Sequence, residues 1–119
     1  APCALGGTLN EATIPRIKAS VVCGAANNQL AGPEDAEALR QRGILYAPDF
    51  IVNAGGVINV YYELDREYNP DAALEKAGKI HDTMHRVIAM SQEQDITTAR
   101  AAEMIAEERL HSVGKARVV

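Results

Sequence analysis

Three primary amides follow one another where the first apolar run of the chain ends. The run holds Val21, Val22 and Cys23, and the next residues read Gly24-Ala25-Ala26-Asn27-Asn28-Gln29-Leu30. A primary amide is a neutral donor and acceptor, so it can orient a carboxylate, an amino group or a nicotinamide carboxamide without adding charge. The same residues also suit a plain loop, because asparagine tolerates unusual backbone angles. Taken alone, the amides favour the plain loop.

A further amide, Asn53, stands at the end of a second apolar stretch and is followed by Gly55-Gly56. The surrounding segment, Gly43–Glu63, reads GILYAPDFIVNAGGVINVYYE and predicts a strand over 44–53, turned at Pro48-Asp49, and then a helix. Parallel strands end at the same edge of a sheet, and a helix that begins there presents free N–H groups. Two amide-bearing strand ends at one edge predict a small-molecule site. The alternative is that the two glycines only permit close packing of strand and helix.

Metal and nucleophile chemistry have weaker support. His81 and His85 are four residues apart on a predicted helix, a spacing that can hold a metal, but His111 is the only other histidine. Zinc sites need three or four ligands, so no metal site is predicted. Cys3 and Cys23 lack the C-x-x-C spacing and are interpreted as reduced thiols. No G-x-G-x-x-G loop is present.

Composition predicts one domain spanning residues 1–119. The chain is 47% hydrophobic and 24% charged, as is usual for a globular domain. A net charge of -4 without a basic cluster argues against a nucleic-acid partner. No apolar run reaches the length of a membrane span and no signal segment opens the chain. We therefore expect a cytoplasmic protein with no membrane partner.

The strands and helices that would position these residues predict an α/β fold. A strand over 20–25, a helix opened by Gly32-Pro33 and stopped by Gly43, and the strand over 44–53 form a strand–helix–strand unit. The helix has acidic residues in its first turn and arginines in its last, which suits the helix dipole. Before this unit, Asn10 is predicted to cap a short helix that stops before Pro15. Two or three parallel strands are expected.

The second half of the chain predicts a closing pair of helices. Asn69 caps the first with Pro70 at its first position, and Thr97 caps the second, which ends at Gly114 before a tail over 115–119. Apolar residues recur at helical spacing along the first of the two helices and form one stripe: Leu74, Ala77, Ile80, Met84, Val87 and Ile88.

Three segments taken together resemble one family. They are APCALGG at 1–7, GAANNQL at 24–30 and YAPDFIVNAGGVIN at 46–59. In this order they are similar to the carboxyl-terminal third of the leucine dehydrogenases, within the wider family of glutamate, leucine, phenylalanine and valine dehydrogenases. The resemblance covers essentially the whole chain. It implies a truncated chain that forms the second half of a Rossmann-type NAD-binding domain, with parallel strands, flanking helices and a closing helical pair.

The resemblance also implies a function. The parent would be an NAD-dependent, homo-oligomeric enzyme that oxidatively deaminates branched-chain L-amino acids, leucine above all, to 2-oxo acids and ammonia. NAD against NADP stays open, because the acidic residue that reads the ribose would lie upstream of Ala1. Six residues match the family's site positions: Cys3, Ala4 and Asn27 on the cofactor side, and Asn28, Val57 and Val60 on the substrate side.

The family's dinucleotide loop and catalytic lysine have no counterpart in this sequence. No catalytic residue is therefore assigned, and the chain alone is expected to be inactive. Two other functions stay open: a non-catalytic α/β binding or assembly module, and a fragment of a phenylalanine or valine dehydrogenase. For Val57 and Val60, the alternative to a substrate pocket is that both pack on the sheet.

Overall fold

The computed structural model describes residues 1–64 and 68–116, with side chains through 113, as an α/β chain. A single 3-10 turn covers Ile14–Arg16 near the start of the chain. The strands and helices that follow are β1 (Val21–Val22), α1 (Glu34–Gln41), β2 (Leu45–Tyr46), α2 (Asp49–Val52), α3 (Gly55–Glu63), α4 (Pro70–Gln94) and α5 (Thr98–Ala116).

The two strands pair in parallel, with α1 as the crossover between them, which confirms the predicted strand–helix–strand unit. Val21 lies opposite Leu45 and Val22 opposite Tyr46. The ladder closes at its carboxyl end with the Ala47 N–H, which donates to the Val22 carbonyl over 2.8 Å. Both strands therefore end at the same edge, where the amide-bearing loops begin.

The predicted strand over 44–53 is wrong in its second half. β2 stops at Tyr46, and Phe50 to Val52 lie in the helix α2. Pro48 has no N–H for the ladder, and its carbonyl accepts from the N–H groups of Ile51 (3.0 Å) and Val52 (3.2 Å). Proline therefore turns the apolar run from extended chain into a helical turn.

α1 is bounded as predicted. Glu34, Asp35 and Glu37 occupy its first turn, and Arg40 its last. Gly43 follows the helix with a φ of 67°, a left-handed conformation that glycine adopts without strain. The next N–H, of Ile44, donates back to the helix and sends the chain directly into β2.

The N-terminal turn differs from its prediction. Asn10 does act as a cap, because its Oδ1 accepts from the N–H groups of Ala12 and Thr13. The helical turn does not stop before Pro15, however, but runs through it to Arg16. Proline is tolerated there because the first N–H groups of a helical turn have no partner within it.

Two apolar cores hold the elements together. The first lies between the sheet and α1, and contains Leu9, Ile14, Val22, Leu39, Ile44 and Tyr46. The second joins α2 to α4 and α5 through Ile51, Val87, Ala101 and Ala102. A buried hydrogen bond connects the two, because the Thr98 hydroxyl donates to the Tyr46 carbonyl over 2.6 Å. The closing helices are thereby fixed to the end of β2.

The closing helical pair is confirmed, with two corrections. Asn69 caps α4 by accepting from the Ala72 N–H, Pro70 is its first residue, and the Thr97 hydroxyl accepts from the Arg100 N–H at the start of α5. Leu74 is exposed rather than part of the buried stripe, and Ala73 beside it is buried instead. α5 continues past Gly114 to Ala116, and residues 117–119 lie outside the described part of the chain.

None of the helices within the described residues is both long and apolar enough to cross a membrane.

Candidate functional site

The loop of residues 24–29 leaves the carboxyl end of β1 and is held in place by the segment that opens the chain. The Ala26 N–H donates to the Pro2 carbonyl over 3.2 Å, and the Gly7 N–H donates to the Asn28 carbonyl over 2.7 Å. Residues 1–9 thus run along one side of the loop. The two family-like segments at 1–7 and 24–30 form one local structure.

Glycine is required where these two segments meet. A Cβ atom at Gly24 would lie 1.9 Å from the Pro2 carbonyl oxygen, far inside contact distance. A Cβ at Gly6 would lie 2.9 Å from the carbonyl oxygens of Asn27 and Asn28. The absence of side chains at both positions lets the backbones approach closely.

Gln29 anchors the loop from inside. Its side chain is fully buried, and Nε2 donates to the carbonyls of Gly24 (2.7 Å) and Ala26 (2.9 Å). Its backbone N–H donates to Oδ2 of Asp49 over 2.8 Å. The three consecutive amides therefore divide into one buried structural residue and the two exposed residues Asn27 and Asn28.

The amides of Asn27, in the loop after β1, and Asn53 do meet, but Asn53 caps the end of α2 and does not stand at the end of a strand as predicted. Nδ2 of Asn53 donates to Oδ1 of Asn27 over 2.6 Å and lies 3.3 Å from the Ala25 carbonyl oxygen. Oδ1 of Asn27 is thereby engaged as an acceptor. Within residues 1–64 and 68–116, no protein group accepts from Nδ2 of Asn27, and this residue is exposed to solvent.

Asn28 lies beside this pair with an exposed side chain and a φ of 52°. The left-handed backbone satisfies the plain-loop interpretation as well, because asparagine tolerates this conformation. Asn28 lines an open cavity of about 440 Å³ together with Tyr46, Asp49 and Phe50 and with residues of α1 and α5. An exposed amide that lines a cavity has the donor and acceptor needed to bind a polar group.

Tyr46 lies at the inner wall of this cavity. Burial, with a smaller contribution from the charge of Asp49, raises the pKa of the Tyr46 hydroxyl to about 12. The hydroxyl therefore stays protonated at neutral pH, and it can donate a hydrogen bond but does not serve as a base.

Cys3 and Ala4 are exposed and belong to the segment of residues 1–9 that runs along the loop. The Ala25 N–H donates to the Cys3 sulfur, and this hydrogen bond lowers the pKa of the Cys3 thiol. Cys3 and Cys23 are both free thiols, as predicted. The structure thus brings Cys3, Ala4, Asn27 and Asn28 into one neighbourhood.

Val57 and Val60 are not part of that group of residues and lie on α3, the helix that follows Asn53. These two residues are 76% and 55% exposed, and Tyr61 on the same helix and Leu64 directly after it are 72% and 81% exposed. We call these four residues the α3 apolar face. The alternative that both valines pack on the sheet is wrong, because in the described chain they are open to solvent.

Gly55 and Gly56 begin α3. A Cβ atom built at either position meets no described atom within 4 Å. The interpretation that this pair only permits close packing of strand and helix is therefore wrong for the described chain.

Asp49 is the site residue that the sequence did not single out. It appeared as a turn residue after Pro48, whereas its carboxylate accepts from the backbone N–H groups of Gln29 and Phe50. An acidic residue at the first position of a helix was the available signal. Nothing in the sequence linked it to a loop twenty residues away.

The three histidines do not come together at one point. His81 and His85 do face each other on α4, while His111 lies on α5. The described residues hold no cluster of three or more histidine, cysteine or acidic side chains suited to a metal ion.

Comparison with known proteins places this geometry in a family. The family model described as Glutamate/Leucine/Phenylalanine/Valine dehydrogenase matches residues 1–117. Leucine dehydrogenase of Geobacillus stearothermophilus is 47% identical over 117 residues, covering 98% of this chain and 32% of the relative. Valine dehydrogenase of Streptomyces albus is 54% identical over 110 residues, covering 92% of this chain and 30% of the relative.

The fold agrees with the sequence match. The crystal structure of L-tryptophan dehydrogenase from Nostoc punctiforme superposes with a TM-score of 0.88 at 44% identity, covering 92% of this chain and 33% of that one. The chain thus spans about a third of the length of the relatives it matches. Sequence and fold together show that the chain belongs to the glutamate, leucine, phenylalanine and valine dehydrogenase family.

Proposed function

We propose that this chain forms the second half of a Rossmann-type NAD-binding domain. We further propose that the enzyme it belongs to oxidatively deaminates branched-chain L-amino acids, leucine above all, to 2-oxo acids and ammonia. The observation that carries the proposal is the meeting of Asn27, in the loop after β1, with Asn53, at the end of α2, beyond the carboxyl edge of two parallel strands. Ligands of open α/β sheets bind at this edge.

The residues at this edge fit the nicotinamide end of NAD, which when bound accepts a hydride from the α-carbon of the substrate. Asn27 offers an exposed amide whose Oδ1 is already held by Asn53, so its Nδ2 is left to donate to a carboxamide oxygen. Cys3 and Ala4 border the same loop and would contact the cofactor there. The role of these residues is to orient the ring, and none of them takes or gives a proton.

Asn28 is proposed to bind the substrate between the cofactor and the remainder of the enzyme. Its side chain is exposed at the cavity of about 440 Å³ and carries both a donor and an acceptor. Holding the amino acid at contact distance from the cofactor lowers the entropic part of the barrier. The general base would come from outside this chain, since the Tyr46 hydroxyl stays protonated at neutral pH and the family's catalytic lysine has no counterpart in this sequence.

The α3 apolar face is proposed to include the wall of the substrate side-chain pocket. Val57 and Val60 are three apart on one helical face, apolar and largely exposed in this chain. Such a wall favours an aliphatic side chain by burial and disfavours a carboxylate, which would be desolvated without a partner. It separates substrates that differ by one methylene by only about 1–3 kcal/mol. Leucine, isoleucine and valine should therefore be used with overlapping efficiency.

An aromatic substrate is the second candidate. The open space at Gly55 and Gly56 leaves room beside the valines for a larger side chain. The similarity to L-tryptophan dehydrogenase points the same way. A non-catalytic binding module is the rival from another class.

We propose a homo-oligomeric, cytoplasmic parent enzyme. A continuous apolar face such as that of α3 needs a cover, from the rest of the enzyme or from another subunit. Two free thiols, one of them with a lowered pKa, suit a reducing compartment.

The test is the NAD-dependent turnover of leucine, valine, phenylalanine, tryptophan and glutamate by the full-length protein. We expect the branched-chain amino acids to be used best and glutamate to be rejected. In Val57→Ala we expect the phenylalanine-to-leucine ratio to rise by roughly tenfold, within the range of a pocket that gains volume. Leu74→Ala is the matched control, because Leu74 is also an exposed apolar residue but lies on α4.

The outcomes separate the candidates. A preference for phenylalanine or tryptophan in the wild type would select the aromatic substrate. Absence of turnover with every amino acid would support the binding module. An unchanged ratio in Val57→Ala, with a lower melting temperature, would return Val57 to a structural role.

A further inference from the structure

The side chains of His81 and His85 converge on one point of the exposed surface of α4. They lie one helical turn apart, with their Nε2 atoms 3.2 Å from each other and their ring centroids 4.5 Å apart. Zinc–imidazole bonds are about 2.0–2.1 Å long, so two Nε2 atoms at this separation subtend about 100° at a shared ion. That angle lies between the square and the tetrahedral values. The pair is therefore spaced as two ligands of one ion.

Asp82 selects the tautomer that a metal ligand needs. Its Oδ1 lies 3.3 Å from Nδ1 of His81, so the Nδ1–H donates to the carboxylate and Nε2 carries the free lone pair. A carboxylate behind a histidine is the common outer partner of metal-bound imidazole, where it fixes the ring and raises its basicity. Without an ion, the lone pair of His81 accepts the Nε2–H of His85. Binding an ion replaces this bond after His85 moves its proton to Nδ1.

The site is open to solvent. The His81 side chain is 75% exposed, and His85 is exposed next to it. Water can therefore complete the coordination shell, and no third protein ligand is required for a labile site. Imidazole ligands suit zinc, copper and nickel, and among these the affinity of a given site is highest for Cu²⁺.

We propose that His81 and His85 form a two-histidine binding site for a divalent ion of the zinc, copper and nickel group. The site is separate from the strand edge that carries Asn27 and does not depend on the proposed dehydrogenase function. A bound ion would link two side chains that are one turn apart on α4.

The test is a calorimetric titration of the chain with Cu²⁺, together with the electron paramagnetic resonance spectrum of the Cu²⁺-loaded protein. We expect one ion per chain, with two imidazole nitrogens in the spectrum. His81→Ala and His85→Ala should each lower the affinity by at least about tenfold and leave one nitrogen. Asp82→Asn should weaken binding within the range of about 10- to 100-fold that is typical of an outer partner.

Two controls separate the site from any exposed histidine. His111→Ala removes the histidine on α5, whose Nδ1–H donates to the Glu107 carbonyl, and should leave the affinity unchanged. The double variant His85→Arg with Arg86→His keeps the composition but breaks the four-residue spacing, and should bind as weakly as His85→Ala. Equal affinity in this variant and the wild type would overturn the proposal, as would a loss in His111→Ala equal to that in His81→Ala.

Discussion

Replacing Gln29 tests whether one buried amide holds the site loop in its shape. In Gln29→Met the side chain keeps its length, but the carbonyls of Gly24 and Ala26 lose their donor. Leaving a buried acceptor without a partner costs about 1–3 kcal/mol, so two of them cost about 2–6 kcal/mol. Removal of Oε1, which receives no hydrogen bond from the described residues, offsets about 1–3 kcal/mol of this. With a similar cost for each group, the offset cancels one of the two losses, and the expected net loss in the free energy of unfolding is about 1–3 kcal/mol.

Gln29→Glu adds a pH dependence with a defined sign. The introduced carboxyl would be buried and would face the same two carbonyl oxygens, and both effects raise its folded-state pKa above the unfolded value of about 4.3. The folded state then binds more protons than the unfolded state between these two pKa values. Stability relative to Gln29→Met is therefore greatest below about pH 4 and is lost as the pH rises through the folded-state pKa.

Urea denaturation of the wild type and both variants at several pH values measures these effects. A loss of a few kcal/mol shifts the midpoint on the order of 1 M. Gln92→Met is the matched control, because Gln92 is exposed on α4 and the same change there should stay within about 0.5 kcal/mol. A loss below about 0.5 kcal/mol in Gln29→Met, or parallel pH profiles for Gln29→Met and Gln29→Glu, would refute the anchoring role.

The isolated chain should show no amino-acid-dependent NAD reduction, because it contributes only one wall of the proposed site; turnover by material freed of full-length enzyme would contradict this. In the full-length protein, Asn28→Gly should lower kcat/KM by roughly ten- to a hundredfold, because the lost hydrogen bond is worth about 1.5–3 kcal/mol. The melting temperature should change little, because glycine accepts the φ of 52°. An unchanged kcat/KM would leave Asn28 as a plain loop residue. The hydrogen bond from the Ala25 N–H lowers the pKa of the Cys3 thiol. The rate of Cys3 alkylation by iodoacetamide should therefore rise at a lower pH in the folded chain than in the urea-unfolded chain. Identical pH profiles of the rate in the two states would argue against that hydrogen bond.

The starts of α1, α4 and α5 and the end of α1 could be predicted because their signals are local. Pro33 before α1 and Gly43 after it, Asn69 and Pro70 at the start of α4, and Thr97 before α5 each act within one helical turn. The same locality explains the error at 44–53. Apolar content predicted a strand there, while Pro48 ended the ladder and started α2.

The site required information that a sequence pattern does not carry. The meeting of Asn27 with Asn53 could be predicted only in part, because parallel topology brings the carboxyl ends of strands to one edge, whereas Asn53 reaches Asn27 from the end of α2. The sequence did not predict that Gln29 is buried and structural while Asn27 and Asn28 are exposed. This difference depends on hydrogen bonds of Gln29 with the carbonyls of the loop and with Asp49. The exposure of Val57 and Val60 likewise depends on which chain segments are available to cover α3.

The hydrogen bond from Thr98 to the Tyr46 carbonyl has a consequence for synthesis on the ribosome. β2, the strand paired with the one that leads into the site loop, is complete by Tyr46, but its end is secured by a residue that emerges 52 positions later. The core beneath α2 likewise needs Ala101 and Ala102. Vectorial folding can therefore assemble the sheet and α1 early, whereas the edge that carries Asn53 becomes fixed only after the start of α5 has left the exit tunnel.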